Sequence, residues 1–71
     1  MRKIDTSTYI YLTVGDKVKC VKDDIIYFGI VDVIWGRDVT SRLPFSVKYT
    51  NNDGSEVVDS ADYFDIIYTY I

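Results

Sequence analysis

Carboxylates recur at every third residue of "TNNDGSEVVDSADYFD" (residues 50–65): Asp53, Glu56, Asp59, Asp62 and Asp65. Acids grouped in this way could ligate a cation, sit on one face of a helix or imitate the phosphates of nucleic acid. A helix over this stretch would carry Gly54 and the adjacent Val57 and Val58 in its first turns, where propensity is poor. A calcium loop with Gly54 at its glycine position would take Tyr49 as first ligand and Ser60 as the closing bidentate acid, so calcium is rejected. A copy of DNA needs dense uncompensated charge, and eleven acids against eight bases are thin for that. A hairpin followed by one helical turn accounts for the spacing. It places Asp53 in the turn, Glu56 on a strand, Asp59 and Asp62 at a helix N-terminus where the dipole favours them, and Asp65 at the start of the last strand. An acidic pole remains, because from residue 48 onward these five acids face a single base, Lys48. Such polarity suits a basic protein surface.

Other catalytic material is sparse. The chain has no His, which removes the commonest general base and a frequent zinc ligand. Cys20 is the only cysteine. It can form no intrachain disulfide, has no His to activate it, and is expected in the core, as free Cys commonly is. No catalytic residue, metal or cofactor is expected. No apolar run reaches the roughly 18 residues of a membrane span, and residues 1–5 lack the apolar stretch of a signal peptide. A cytoplasmic protein is the expectation, with no membrane partner.

The elements that must position these residues read as β throughout. Of 71 residues, 48% are hydrophobic and 15% aromatic, enough for one small core, and the aromatic and β-branched content favours strands. "TYIYLTV" (8–14) is read as a strand, punctuated by Gly15-Asp16. "KVKCVK" (17–22) turns Lys17 and Lys19 to solvent and Val18 and Cys20 inward. Asp23-Asp24 marks a tight turn. "IIYFGIVDVIW" (25–35) is a long strand, with Gly29 expected at a bend. Residues 36–44 form a polar loop ending at Pro44. "FSVKYT" (45–50) and "SEVV" (55–58) make a hairpin about the "NNDG" turn. "DSADYF" (59–64) is a helical turn capped by Asp59 or Ser60, and "DIIYTYI" (65–71) is the last strand. The fold class is all-β: a small half-open barrel of five or six strands with one short helical turn before the last strand. One domain spans 1–71, with its core over 14–68 and residues 1–13 as an extension or extra strand.

At the level of ordered motifs the chain resembles an SH3-like barrel of the Tudor type. "GDKVKC" (15–20), "DDIIYFGIVDVI" (23–34) and "FSVKYTNNDGSEVVDSADYFDII" (45–67) carry the resemblance. It implies a small binding module rather than an enzyme. Tudor-type domains commonly hold methylated Lys or Arg in an aromatic cage. On this chain Tyr27 and Tyr49 match two cage positions, and the other two fall near Asp24 and Asn52, which are not aromatic.

The expected function is therefore non-catalytic binding of a partner protein with a basic surface. The residues assigned to that contact are Tyr27, Trp35, Tyr49, Asp53, Glu56, Asp59, Asp62 and Asp65. In size and acidity the chain is similar to small accessory proteins of phages and mobile elements, many of which redirect or inhibit a host protein. The alternative is nucleic-acid binding through Lys17, Lys19, Lys22, Arg37 and Arg42, with Tyr27 and Trp35 as stacking platforms. A homodimer through an edge strand, 8–14 or 65–71, is a further possibility.

Overall fold

The computed structural model describes residues 2–5, 8–35 and 43–70. Six strands form one antiparallel sheet: β1 (Arg2–Lys3), β2 (Lys17–Lys22), β3 (Ile25–Ile34), β4 (Phe45–Thr50), β5 (Glu56–Ser60) and β6 (Ile66–Thr69). Their order in space is β1-β6-β2-β3-β4-β5. The sheet is all-β and open, with β1 and β5 at its two ends. A 3-10 turn, Ala61–Tyr63, precedes β6, capped by Ser60, whose side chain accepts from the backbone N–H of Asp62 at 3.4 Å.

Local chemistry explains the connections. Asp23 and Asp24 both have positive φ, 51° and 64°, the conformation a two-residue hairpin demands. They join β2 to β3 in a register that pairs Lys22 with Ile25 and Cys20 with Tyr27. At the next hairpin Gly54 takes φ 88°, and the turn closes with the N–H of Asn51 donating to the carbonyl of Ser55 at 2.8 Å.

The core lies on one face of the curled sheet. Val18, Cys20, Val31, Phe45 and Val47 have no exposed surface, and Ala61, Phe64 and Ile67 close over them. Ile4, Tyr9 and Leu12 join the same cluster.

Three expectations are corrected. Residues 8–14 are not a strand; Tyr9–Tyr11 form a 3-10 turn. Tyr9 and Leu12 are buried and Tyr11 between them is exposed, a three-residue spacing that suits a tight helical turn and not a pleat. The irregularity of β3 does not fall at Gly29. The register shifts between Val31 and Val33, so Asp32 is the extra residue. Gly29 instead lets β4 approach: a Cβ there would lie 2.5 Å from the Lys48 carbonyl oxygen and 2.9 Å from Val47 Cγ1. Finally, neither segment considered as a dimerising edge is an open edge, because residues 8–14 are not β and β6 is paired on both sides, by β1 and β2.

Candidate functional site

The five acids are dispersed, each beside a different local partner. Asp53 Oδ1 accepts from the Ser55 N–H at 2.9 Å and its hydroxyl at 2.6 Å. Those bonds favour its charged form and hold the carboxyl below the usual carboxylate range. Glu56 pairs with Lys48 across β4 and β5 at 2.7 Å. Asp59, half-buried, accepts from the Tyr49 hydroxyl at 2.5 Å. Asp62 Oδ1 accepts from the Leu43 N–H at 3.0 Å and ties the entry to β4 onto the helical turn. Asp65 Oδ2 accepts from the Asp23 N–H at 3.1 Å and braces the β2–β3 turn. The rhythm of three in the sequence is thus a row of separate anchors for turns and strand ends. Among the described residues no group of three or more Cys, Asp or Glu side chains could hold a metal.

Tyr27 and Tyr49 do come together, and a third ring joins them that the sequence reading did not assign. Ring centroids lie 4.9 Å apart for Tyr27 and Tyr49, 5.4 Å for Tyr49 and Phe64, and 6.5 Å for Tyr27 and Phe64. Phe64 stands at the end of the helical turn, in a different part of the chain from Asp24 and Asn52, where the cage pattern had placed its remaining positions. Phe64 meets both tyrosine rings edge to face, and Tyr27 and Tyr49 are tilted at 55° to each other. Tyr49 and Phe64 are buried and only Tyr27 reaches the surface. The bond to Asp59, with burial, raises the Tyr49 phenol from 10.0 to about 12. The cluster reads as a corner of the core with one ring at its rim.

Trp35 is 56% exposed, at the end of β3. Its backbone N–H donates to the Pro44 carbonyl at 3.0 Å, so the backbone beneath the ring is fixed. Cys20 is buried, and burial pushes its thiol up to about 12, which keeps it protonated and inert as a nucleophile.

The outer face of the sheet was missed. Antiparallel register places side chains directly opposite one another on the same face. Phe28 of β3 stands opposite Lys19 of β2, which stands opposite Tyr68 of β6; Ile26 stands opposite Val21, and Val21 opposite Ile66. Ile30 is opposite Lys17. Phe28 is 64% exposed, and Ile26, Ile30 and Tyr70 are exposed as well. Strand β3 is therefore apolar toward the core and toward solvent. That signal was available in "IIYFGIVDVI", where period-two alternation of apolar and polar residues is absent. The basic residues behave differently from one another. Lys22 Nζ lies 5.9 Å from the centroid of the Tyr63 ring, Lys17 and Lys19 stand on the outer face, and Arg37 and Arg42 lie outside the described residues.

Compared with known proteins, the chain matches no family model, no curated protein and no solved structure. No helix among the described residues is long and apolar enough to cross a membrane.

Proposed function

We propose that this chain is a non-catalytic binding module, cytoplasmic, whose partner is another protein and whose effect is to modulate or inhibit that partner. The observation that carries the reading is the outward side of β3, where Ile26, Phe28, Ile30 and Val33 stand exposed and Trp35 follows them. A soluble sheet normally presents polar side chains on its solvent face, and an exposed apolar patch with aromatic rings is the composition of an interface core. The strand order β6-β2-β3-β4-β5 with a 3-10 turn before the last strand is consistent with the SH3-like resemblance. Fold alone does not choose the ligand. The close packing of Tyr27, Tyr49 and Phe64 supports a structural role for those rings more than a methyl-cation cage. The acids at 53, 56, 62 and 65 remain at the surface and would border a contact with a basic partner.

The test is a pull-down with the tagged chain from a lysate of the organism that encodes it, with untagged chain as competitor. A protein retained by the tagged chain and displaced by the competitor is the expected result. Retention of nothing that the competitor displaces would sink the reading. The nucleic-acid alternative draws on Lys17, Lys19, Lys22, Arg37 and Arg42 with Tyr27 and Trp35; of these, Arg37 and Arg42 lie outside the described residues. It requires mobility shifts with single- or double-stranded DNA or RNA at low salt, falling steeply as salt rises.

A further inference from the structure

The outer face of β6, β2 and β3 has a shape and a charge that select among partners, and this step rests on the protein-binding reading above. At the positions paired in the β2–β3 and β2–β6 registers its outward side carries no carboxylate: residues 26, 28 and 30 are Ile, Phe and Ile, residues 17, 19 and 21 are Lys, Lys and Val, and residues 66 and 68 are Ile and Tyr, with Tyr70 just beyond β6; the acid of β3, Asp32, lies at the bulge beyond them. Lys17 and Lys19 make no ion pair with any described residue, whereas the neighbouring Lys48 is held by Glu56. The two free ammonium groups thus stand within an apolar field, on a chain whose net charge is −3. Between Lys17, Phe28, Ile30 and Tyr70 the face dips into an open depression of about 520 Å³.

Across β6, β2 and β3, strands about 4.8 Å apart give a stripe about 14 Å wide, and four to six residues per strand about 3.3 Å apart run about 13–20 Å along it. A second copy of this chain, docked face to face, would put four lysines into one interface whose paired outward positions offer them no carboxylate. One α-helix fits: it is about 10 Å across, and three turns run about 16 Å. Two lysines are too few to hold a nucleic-acid strand by its phosphates, where affinity scales with the number neutralised.

We infer that this face receives a single amphipathic helix of a partner protein, its apolar side over Ile26, Phe28 and Ile30 and its flanking Asp or Glu residues against Lys17 and Lys19. The apolar stripe supplies the burial, and the two lysines fix the direction and charge of the helix that is accepted.

Selection of a displayed library of randomised helical peptides against the intact chain tests this. The expected outcome is enrichment of sequences with apolar residues at i, i+3, i+4 and i+7 bordered by Asp or Glu. Phe28→Asp, whose fold is checked by its amide spectrum, should weaken an enriched peptide at least tenfold, and a Lys17→Glu/Lys19→Glu double variant should favour Lys or Arg at the bordering positions. Absence of enrichment, enriched peptides without a carboxylate preference, or binding indifferent to Phe28→Asp would each overturn it. So would concentration-dependent dimerisation abolished by Phe28→Asp, or an oligonucleotide that displaces the peptide from Lys17 and Lys19 with higher affinity. The pull-down stands apart from these outcomes: a partner captured there but unaffected by Phe28→Asp leaves the binding module intact and removes only this face.

Discussion

The hydroxyl of Tyr49 and the carboxylate of Asp59 show how a residue that looks like part of a site can be part of the frame. Tyr49 lies on β4 and Asp59 on β5, and their bond crosses the pair at the edge of the core. Because it is made to an ionised acceptor it contributes more than a neutral bond, about 1.5–3 kcal/mol. Tyr49→Phe should lower unfolding free energy by about that amount, measured by urea denaturation at neutral pH. The bond also sets a pH dependence. The folded state raises the phenol from 10.0 to about 12, so the neutral form is the one it favours. The stability contributed is fully present below pH 10.0 and is lost as pH rises through about 12. Cys20 acts in the same direction from 9.0 to about 12, for want of solvation. In the wild type the urea midpoint should therefore fall steadily across this alkaline window, and in Tyr49→Phe the fall should be shallower, with the Cys20 part remaining. Superimposable alkaline profiles for the two proteins would show that the Tyr49–Asp59 bond has no such role.

At the scale of elements, β2, β4 and the hairpins were legible because each states itself locally. Alternation in "KVKCVK" fixes which side of β2 is buried, Asp23-Asp24 and "NNDG" supply positive φ, and Ser60 supplies a cap. What sequence could not give was context. "TYIYLTV" has strand composition, yet it caps the core as a 3-10 turn because Tyr9 and Leu12, three residues apart, both have a hydrophobic surface to fall onto. Phe64 was hidden among acids, and it reaches Tyr49 only once the turn at 61–63 has reversed the chain. Gly29 was recognised as special for the wrong reason. The local sequence allows a bend, whereas the contact that excludes a side chain comes from β4, which the local sequence does not contain. Gly29→Ala separates the two explanations. A bend that needs glycine only for flexibility would tolerate alanine or gain from it. A close approach would not, since the added Cβ meets backbone oxygen of Lys48 at 2.5 Å and Tyr49 Cβ at 3.0 Å. The expected cost is about 1–3 kcal/mol, with faster amide exchange confined first to β3 and β4. A variant as stable as the wild type would return the bend explanation to favour.

The whole molecule depends on its first thirteen residues more than the motif pattern suggests. The ordered strand and turn motifs begin at Gly15, and a core confined to residues 14–68 would make the preceding segment dispensable. The structure places Ile4, Tyr9 and Leu12 in the main cluster, each at most 4% exposed, and the Ile4 N–H donates to the Ile67 carbonyl at 2.8 Å beside β1. At about 0.05–0.15 kcal/mol per residue, a chain of 71 residues has about 4–11 kcal/mol of stability to lose. Emptying one large buried side chain to alanine typically costs about 2–5 kcal/mol, and deletion of residues 1–13 removes three side chains together with the backbone that covers the end of the core. Three such losses, about 6–15 kcal/mol, match or exceed that stability. A chain of residues 14–71 should therefore show a collapsed amide spectrum and no cooperative thermal transition, while Leu12→Ala in the full chain should unfold cooperatively at a lower temperature. A dispersed spectrum from the truncated chain would mean that the barrel motifs fold alone. The same pair of measurements also bears on the outer face: because Phe28, Ile30 and Tyr70 project away from this cluster, Leu12→Ala at a temperature where it remains folded should bind an outer-face peptide as the wild type does. Loss of that binding in a folded Leu12→Ala chain would mean that the outer face depends on the packing beneath it.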